Sequence, residues 1–521
     1  MSTQKTLADI FAVNQPSEAP PADNDLFISP TVSLSNQFKK ELTRRGIPFN
    51  PDRITTLQEF CRRYHAEHGE KTRIISEGQA RIVMVTTLEG IREEIPFFFS
   101  QGYPSPGTVS DLYSLRSIIS QRCIDFASHP LITTSEKCRQ ISRAITSYKE
   151  TLAANRLLDL PALIEWTTGH ISSQPGTLFG SVRIHRLPEI MEREKRLILA
   201  IKSHSVACRF EYPKGKDATL FSPPDWVFTD EIDFIEPTPE FFSLSDLFAK
   251  KPEAGPEGLL NARVFRSSTE ELESIAEEIH ALAGEGTPLS DIAITFPELS
   301  SRISTIQDIL DDFGVPYHSS VGEPLIREPV VGFLLLFPLL AMEAYPREAV
   351  ISLISSPFCA VRQPELPGMD IASFDTIVRT AGIEGGSSWR EALLALKNPP
   401  EDHEFSPGFS DAAIDSVIAW IEAIQQDCNR FTERLTLPGY LAVFRQICRR
   451  WMMPEIRTGK PGGSDPGLSR EQKAYGQFMG CLARLRSLFE PDEIVELSQF
   501  RRFLACLLEE PVSLSEDSGG V

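Results

Sequence analysis

The sequence predicts an α/β protein, and three observations carry that prediction. Short apolar strands alternate with amphipathic helices from Leu26 onward. The same rhythm restarts after a proline-rich crossing at residues 236–258. Long helical stretches follow or interrupt both passages.

Residues 1–25 hold a short apolar cluster and then a Pro/Ala/acidic tether, a composition that buries too little to fold. LFIS (26–29) reads as a strand, and Pro30-Thr31 turns into the helix VSLSNQFKKELTRRG, closed by Gly46. RITT (53–56) reads as a second strand leading into LQEFCRRYHAEHG, amphipathic through Leu57, Phe60, Cys61 and Tyr64. Residues 76–174 read mainly as helices. SVRIHRL (181–187) is a strand, EIMEREKRLILAIKS (189–203) a helix and VACRFEY (206–212) a strand. The crossing carries Pro237, Pro239, Pro252 and Pro256. Beyond it LNARVFRS (260–267), DIAITF (291–296) and VPYHSS (315–320) read as strands around the helices TEELESIAEEIHALAGEG and SRISTIQDILDDFG. From residue 346 to 510 helices dominate, broken by the glycine- and proline-rich loop 457–468.

The 521-residue chain carries 52 Lys/Arg against 72 Asp/Glu, a net charge of −20. That excludes coating nucleic acid by bulk charge but not a local basic track. Residues 39–81 hold ten Lys/Arg against six acids, and residues 430–502 hold thirteen against eight, whereas 260–330 is acidic. Arg449-Arg450-Trp451 combines cations with a ring, as single-strand platforms do. The most apolar run, Val330 to Met342, falls short of the roughly 20 residues a spanning helix needs and reads as a buried helix. No basic segment followed by an apolar one opens the chain, so a cytoplasmic protein without membrane attachment is expected. Nine scattered cysteines with no CxxC pair read as reduced thiols. The adjacent acids Asp311-Asp312 and Glu509-Glu510 point in different directions on helices and read as solvated faces.

These passages resemble a known family. LNARVFRS, a helix with Glu273 and Ala276 facing inward, DIAI, SRISTIQDIL and FGVPYHSSVGEPLIREPVV resemble, in order, the first half of the second motor domain of UvrD-like superfamily 1 helicases. VISLISSPFC (350–359) resembles the start of the helical domain inserted there. LFISPTVSLSNQFKKEL and RITTLQEF resemble the segments that contact single-stranded DNA. The strand 181–187, its Glu-rich helix and the strand 206–212 are similar to the AddB-type subunit of bacterial helicase–nucleases. The resemblance covers most of residues 26–521, as patterns rather than invariant motifs.

It implies two RecA-like (superfamily 1 helicase-type) domains with large helical insertions. Their parts would be a tail at 1–25, a first domain at 26–235, a linker at 236–258, the first part of a second domain at 259–345 and an insertion at 346–521. It implies a role in DNA double-strand-break repair and recombination, single-stranded or forked DNA as ligand, and a motor or nuclease subunit as partner. Thr31, Arg53, Thr56, Gln58 and Arg302 match the DNA-contact segments.

A P-loop is missing from the sequence. Its GxxxxGK[ST] pattern cradles phosphates with backbone N–H groups and holds Mg²⁺ with a hydroxyl. Here Gly215-Lys216 runs into Asp217 and Gly459-Lys460 into Pro461, and the strand that would carry a Mg²⁺-binding acid ends in His185-Arg186. The expectation is a motor-shaped scaffold without ATP hydrolysis, similar to RecC-type subunits. In the family a segment like LSQFRRFLACLLEE is followed by the last helicase motifs and a PD-(D/E)XK nuclease domain with an iron–sulfur cluster. This chain stops at SEDSGGV, so a truncated member is expected, with Mg²⁺ and the cluster belonging to the absent domain and no cofactor in this chain. The alternatives are a non-enzymatic adaptor, or a fragment of an active exonuclease whose catalytic domain lies beyond Val521.

The N-terminus adds a further expectation. Gln4, Leu7, Ile10 and Phe11 have the spacing QxxhxxΦF, which resembles the peptide that docks on ring-shaped (PCNA-type) sliding clamps. One helical or 3₁₀ turn gathers the three apolar side chains into a plug while Gln4 reaches a polar pocket. Ile10 departs from the pattern, which more often has an aromatic residue there.

Overall fold

A computed structural model describes residues 25–512 apart from 70, 100–101, 127, 131, 133–134, 186–189, 214–225, 228–231, 236–262, 297–298, 320, 361–369, 387, 398–407, 432–433 and 459–468. The chain is mixed α/β and mostly helical, with two compact units, Met1–Ala293 and Ile294–Val521. The proline-rich crossing lies outside the described residues. Among them no helix is long and apolar enough to cross a membrane.

The first unit is built on a parallel sheet. Its elements are β1 (Leu26–Ser29), α1 (Val32–Arg44), β2 (Ile54–Thr56), α2 (Leu57–His68), β3 (Arg73–Ile74), α3 (Glu77–Gly90), α4 (Pro106–Gln121), α5 (Glu136–Ala154), β4 (Leu157–Leu158), α6 (Leu160–Ser173), β5 (Phe179–His185), α7 (Glu192–Ser203), β6 (Ser205–Pro213), β7 (Ile232–Ile235) and α8 (Ser268–Gly284). The strands lie in the order β2-β1-β5-β6-β7, every pair parallel. Counted among themselves they run 2-1-3-4-5, the order of flavodoxin-like doubly wound sheets.

Period-2 alternation sends the two sets of side chains to different faces. Leu26, Ile28, Val182, Ile184, Phe210 and Tyr212 pack with Phe60 and Tyr64 of α2, Leu163 of α6 and Leu197 of α7. On the opposite face Phe27 and Ile54 pack with Leu42 of α1, and the Phe27 ring stacks on Phe38 at 4.2 Å. The helices start and stop where the sequence says. The Thr56 hydroxyl accepts from the Glu59 amide at 3.3 Å to cap α2, and Gly46 (φ +67) ends α1 with the Ile47 amide bonded back to the Leu42 carbonyl. The helices between β2 and β5 close around Asp159. This buried carboxylate caps α6 through the Ala162 amide and accepts from Arg116 at 3.0 Å and from the Tyr148 hydroxyl at 3.1 Å.

The second unit contains α9 (Leu299–Asp312), β8 (Glu323–Pro324), α10 (Pro329–Met342), α11 (Arg347–Ser355), α12 (Ile371–Thr380), α13 (Trp389–Lys397), α14 (Asp411–Cys428), β9 (Leu435–Thr436), α15 (Leu437–Trp451), α16 (Arg470–Arg486), β10 (Ile494–Val495), α17 (Leu497–Leu508) and β11 (Pro511–Val512). The apolar run forms α10, with Val330, Val331, Phe333, Leu334, Phe337 and Leu340 all buried. Two-residue antiparallel pairs, β9 with β10 and β8 with β11, are its named strand pairs among the described residues.

Four expectations are corrected. The described parts of 260–267, 291–296 and 315–320 form no strand, so the parallel sheet expected there is not seen among the described residues; apart from the five-stranded sheet, the parallel pairing is the two-residue pair of β3 with β4. The segment 291–296 alternates as a strand would, but none of its side chains is buried. A strand exists by pairing, and alternation without a neighbouring strand leaves an extended loop. On α8 the inner stripe is Leu272, Ala276 and Ile279, while Glu273 is exposed. A helix turns about 100° per residue, so position 273 falls off that stripe.

Candidate functional site

From β1 the chain passes to β2 on one side, and the later strands begin with β5 on the other side of β1. Such a reversal opens a crevice beyond the carboxyl ends of the two strands that flank it, here β1 and β5. At the end of β1 the Ser29 hydroxyl donates to the Thr31 carbonyl at 2.9 Å and lies 2.6 Å from the Ser35 hydroxyl. The Thr31 hydroxyl accepts from the Leu34 amide at 3.2 Å. The first turn of α1 is therefore closed by its own hydroxyls, where a phosphate-cradling loop would offer free amides.

At the end of β5, His185 Nδ1 lies 2.8 Å from Glu211 Oε2 on β6, its register partner. Both side chains are nearly buried, Arg183 Nη1 is 3.9 Å from the other Glu211 oxygen, and the imidazole tilts against the Phe27 ring at 5.8 Å. A carboxylate on one ring nitrogen fixes the imidazole's orientation and leaves the second nitrogen to donate or accept. The sequence shows His185 where the family pattern has an acid. The acid beside it, Glu211, sits one strand over and was missed. The alternation of VACRFEY, which places Glu211 opposite the apolar stripe, is the signal that could have found it.

Of the residues matched to DNA-contact segments, three share this edge. Ser29 and Thr56 are register partners, Thr31 lies two residues past Ser29, and Gln58 is exposed in the first turn of α2. Arg53 precedes β2 and so lies at the opposite end of that strand. Arg302 is exposed on α9 of the second unit, its guanidinium carbon 5.6 Å from the Phe296 ring. Gln4, Leu7, Ile10 and Phe11 lie outside the described residues.

The two basic windows fare differently. In the first, Arg63 pairs with Asp52 at 2.9 Å and Glu59 at 3.1 Å, and Arg81 with Glu77. Burial, with Arg63 nearby, lowers the Lys39 pKa, and Lys40 of α1 and Arg62 of α2 are exposed. In the second, arginines turn to carboxylates of the unit itself. Arg450 donates to Asp427 at 2.8 Å, Arg470 to Glu323 at 2.8 Å and Glu328 at 2.9 Å, and Arg484 to Glu510 at 2.6 Å.

Arg449-Arg450-Trp451 is therefore not a platform for bases. Trp451 is fully buried, and its indole nitrogen donates to Asp427 at 2.7 Å. Glu510 is a buried ion-pair partner rather than part of a solvated face. Asp311 is exposed as expected, although partial burial pushes its carboxyl pKa up. All nine cysteines are free thiols, six of them buried. Among the described residues no group of three or more His, Cys, Asp or Glu side chains could hold a metal ion. No protein-family model matches this chain, and comparison with curated proteins finds no match.

Proposed function

We propose that this chain is a catalytically silent, helicase-like scaffold that guides single-stranded or forked DNA in double-strand-break repair and recombination, beside a separate motor or nuclease subunit. The observation that carries the reading is the grouping of Thr31, Thr56 and Gln58 at one carboxyl edge of an all-parallel sheet, beside a self-capped turn. A strand guide needs polar groups and nearby cations for phosphates and sugars, and it needs no triphosphate pocket. Lys40 of α1 and Arg62 of α2, both exposed, add positive charge to the first unit of an acidic protein. The second half of the motor pattern, a RecA-like domain within residues 259–345, rests on the resemblance of that passage alone.

The test is fluorescence anisotropy of a labelled single-stranded oligonucleotide with the full chain. Binding that weakens steeply between about 50 and 200 mM salt is expected, because phosphate contacts release counterions. Gln58→Glu, which puts a carboxylate on that edge, should weaken binding severalfold without changing the circular dichroism. Absence of binding at low salt, or steady ATP turnover by the purified chain, would overturn the reading.

A further inference from the structure

A surface in the helical insertion of the first unit gathers rings and cations that the sequence does not place together. Phe97 and Tyr103 are 48% and 54% exposed. The Arg92 guanidinium carbon lies 5.1 Å from the Phe99 ring centre and 5.6 Å from that of Tyr103, and the Lys137 ammonium 5.0 Å from that of Phe97. Phe98 meets Phe97 edge to face at 5.3 Å. The rings stand on a fixed support. Ile95 and Phe99 are buried beneath them, and the Phe97 amide donates to the buried side chain of Gln140 on α5 at 2.9 Å. Gly102, just before Tyr103, holds φ +103, which an L side chain would strain, and its amide bonds back to the Phe99 carbonyl at 3.1 Å.

Charge decides what such a surface takes. Of the nearby carboxylates, Glu94 is spent on Arg143 and Glu136 on Arg139, while Glu93 is exposed. Among the described residues Arg92 and Lys137 pair with no carboxylate, and their charged ends lie over ring faces. Half-exposed rings with cations beside them match a polymer whose flat apolar faces alternate with anions. That is an unpaired nucleic-acid strand, with bases stacking on the rings and phosphates meeting the cations.

We infer that Phe97 and Tyr103, with Arg92 and Lys137, form a stacking platform for single-stranded nucleic acid. This rests on the DNA-guiding reading and gives it a second contact surface, separate from the sheet edge. The test compares the full chain with Phe97→Ala/Tyr103→Ala and Arg92→Ala/Lys137→Ala variants, using labelled oligothymidine and a duplex of equal length. The ring variant should lose roughly tenfold or more of its oligothymidine affinity with the salt slope kept. The charge variant should bind with a shallower salt slope. Phe97→Tyr/Tyr103→Phe should retain binding, which separates stacking from a fold defect. If the wild-type chain binds oligothymidine and the ring variant binds equally well, the platform is overturned while the DNA reading stands, and the rings are then a face for a protein partner. Equal losses on duplex and single strand also overturn it. If the wild-type chain binds neither, both readings fall.

Discussion

Asp427 on α14 holds the indole of Trp451, the last residue of α15, from within the core of the second unit. One carboxylate oxygen takes the indole N–H at 2.7 Å and an Arg450 N–H at 2.8 Å. The Trp451 ring also meets Trp420 at 5.8 Å and Phe337 at 6.2 Å, so one acid positions the centre of an aromatic core. A sequence that looks like an exposed cation–ring pair is in fact a buried anchor.

Removing that acid leaves a half-buried guanidinium and a buried indole N–H without their acceptor. Asp427→Ala should destabilise the second unit by about 3–5 kcal/mol. Arg449→Ala, an exposed neighbour on the same helix, should change stability by less than about 0.5 kcal/mol. Urea unfolding of the two variants measures the difference.

Two glycines of the second unit should respond in opposite directions to the same change. A Cβ on Gly322 would lie 2.6–2.7 Å from backbone atoms of Val512, so Gly322→Ala should force β8 and β11 apart and lower the melting temperature. A Cβ on Gly332 would meet nothing within 4 Å, and the position is exposed on α10. Gly332→Ala should stabilise by about 0.5–1 kcal/mol through backbone entropy. A lower melting temperature for both would refute the contrast.

Thiol reactivity should divide by burial. Burial pushes the Cys61, Cys359 and Cys448 thiols up to about 12, and the Cys428 and Cys481 thiols also upward. Thiolate is the reactive form, so these five should resist iodoacetamide until the chain is unfolded. Cys123, Cys138 and Cys208 are half-buried and should label first. Peptide mass mapping after a short native pulse reads the order.

Burial lowers the pKa of His65, whose Nε2 lies 2.6 Å from the Thr72 hydroxyl and whose ring meets Trp166 at 4.7 Å. A histidine with a depressed folded pKa gives its full stabilisation above its unfolded value of about 6.5. It loses that stabilisation as pH falls from there toward the folded value, because the unfolded chain takes up the proton first. The urea midpoint should therefore fall between about pH 7 and pH 5, and less steeply in His65→Gln. An equal slope in both proteins would remove His65 as a source.

The terminal peptide gives a prediction that stands on sequence alone. We propose that this peptide docks on a sliding clamp; Leu7→Ala with Phe11→Ala should then abolish binding to a purified clamp in a surface-capture assay, because such anchors carry most of a small interface, and clamp affinity equal to that of the wild type would overturn the proposal.

Local patterns proved legible wherever one chain segment determines its own environment. The capping threonine at Thr56, the apolar spacing from Leu57 to Tyr64 and the positive-φ Gly46 each define an element without help from afar. The buried helix α10 declared itself through its lack of any polar face. What stayed hidden depends on partners far along the chain. DIAITF has the composition of a strand but pairs with no strand among the described residues. The arginines of residues 430–502 read as a surface charge because Glu323, Glu328 and Asp427, which accept from Arg470 and Arg450, lie outside that window. Thr31, Thr56 and Gln58 are singled out by the resemblance of their segments, and the sheet register brings them to one edge, whereas Glu211 and the rings at Phe97 and Tyr103 needed neighbouring elements to acquire meaning.

The pairing of β8 with β11 has a consequence for how the protein is made. Glu323 and Pro324 enter early in the second unit, and the strand they need, Pro511–Val512, leaves the ribosome after the unit's described helices. Vectorial synthesis lets local helices form first and defers such a distant pairing, with its loop-closure cost, to the end. Arg470 emerges in between and can neutralise Glu323 and Glu328 while they wait. The unit thus has a built-in order among its described elements: helices and the Arg470 charge pairing can form before the two-residue latch closes.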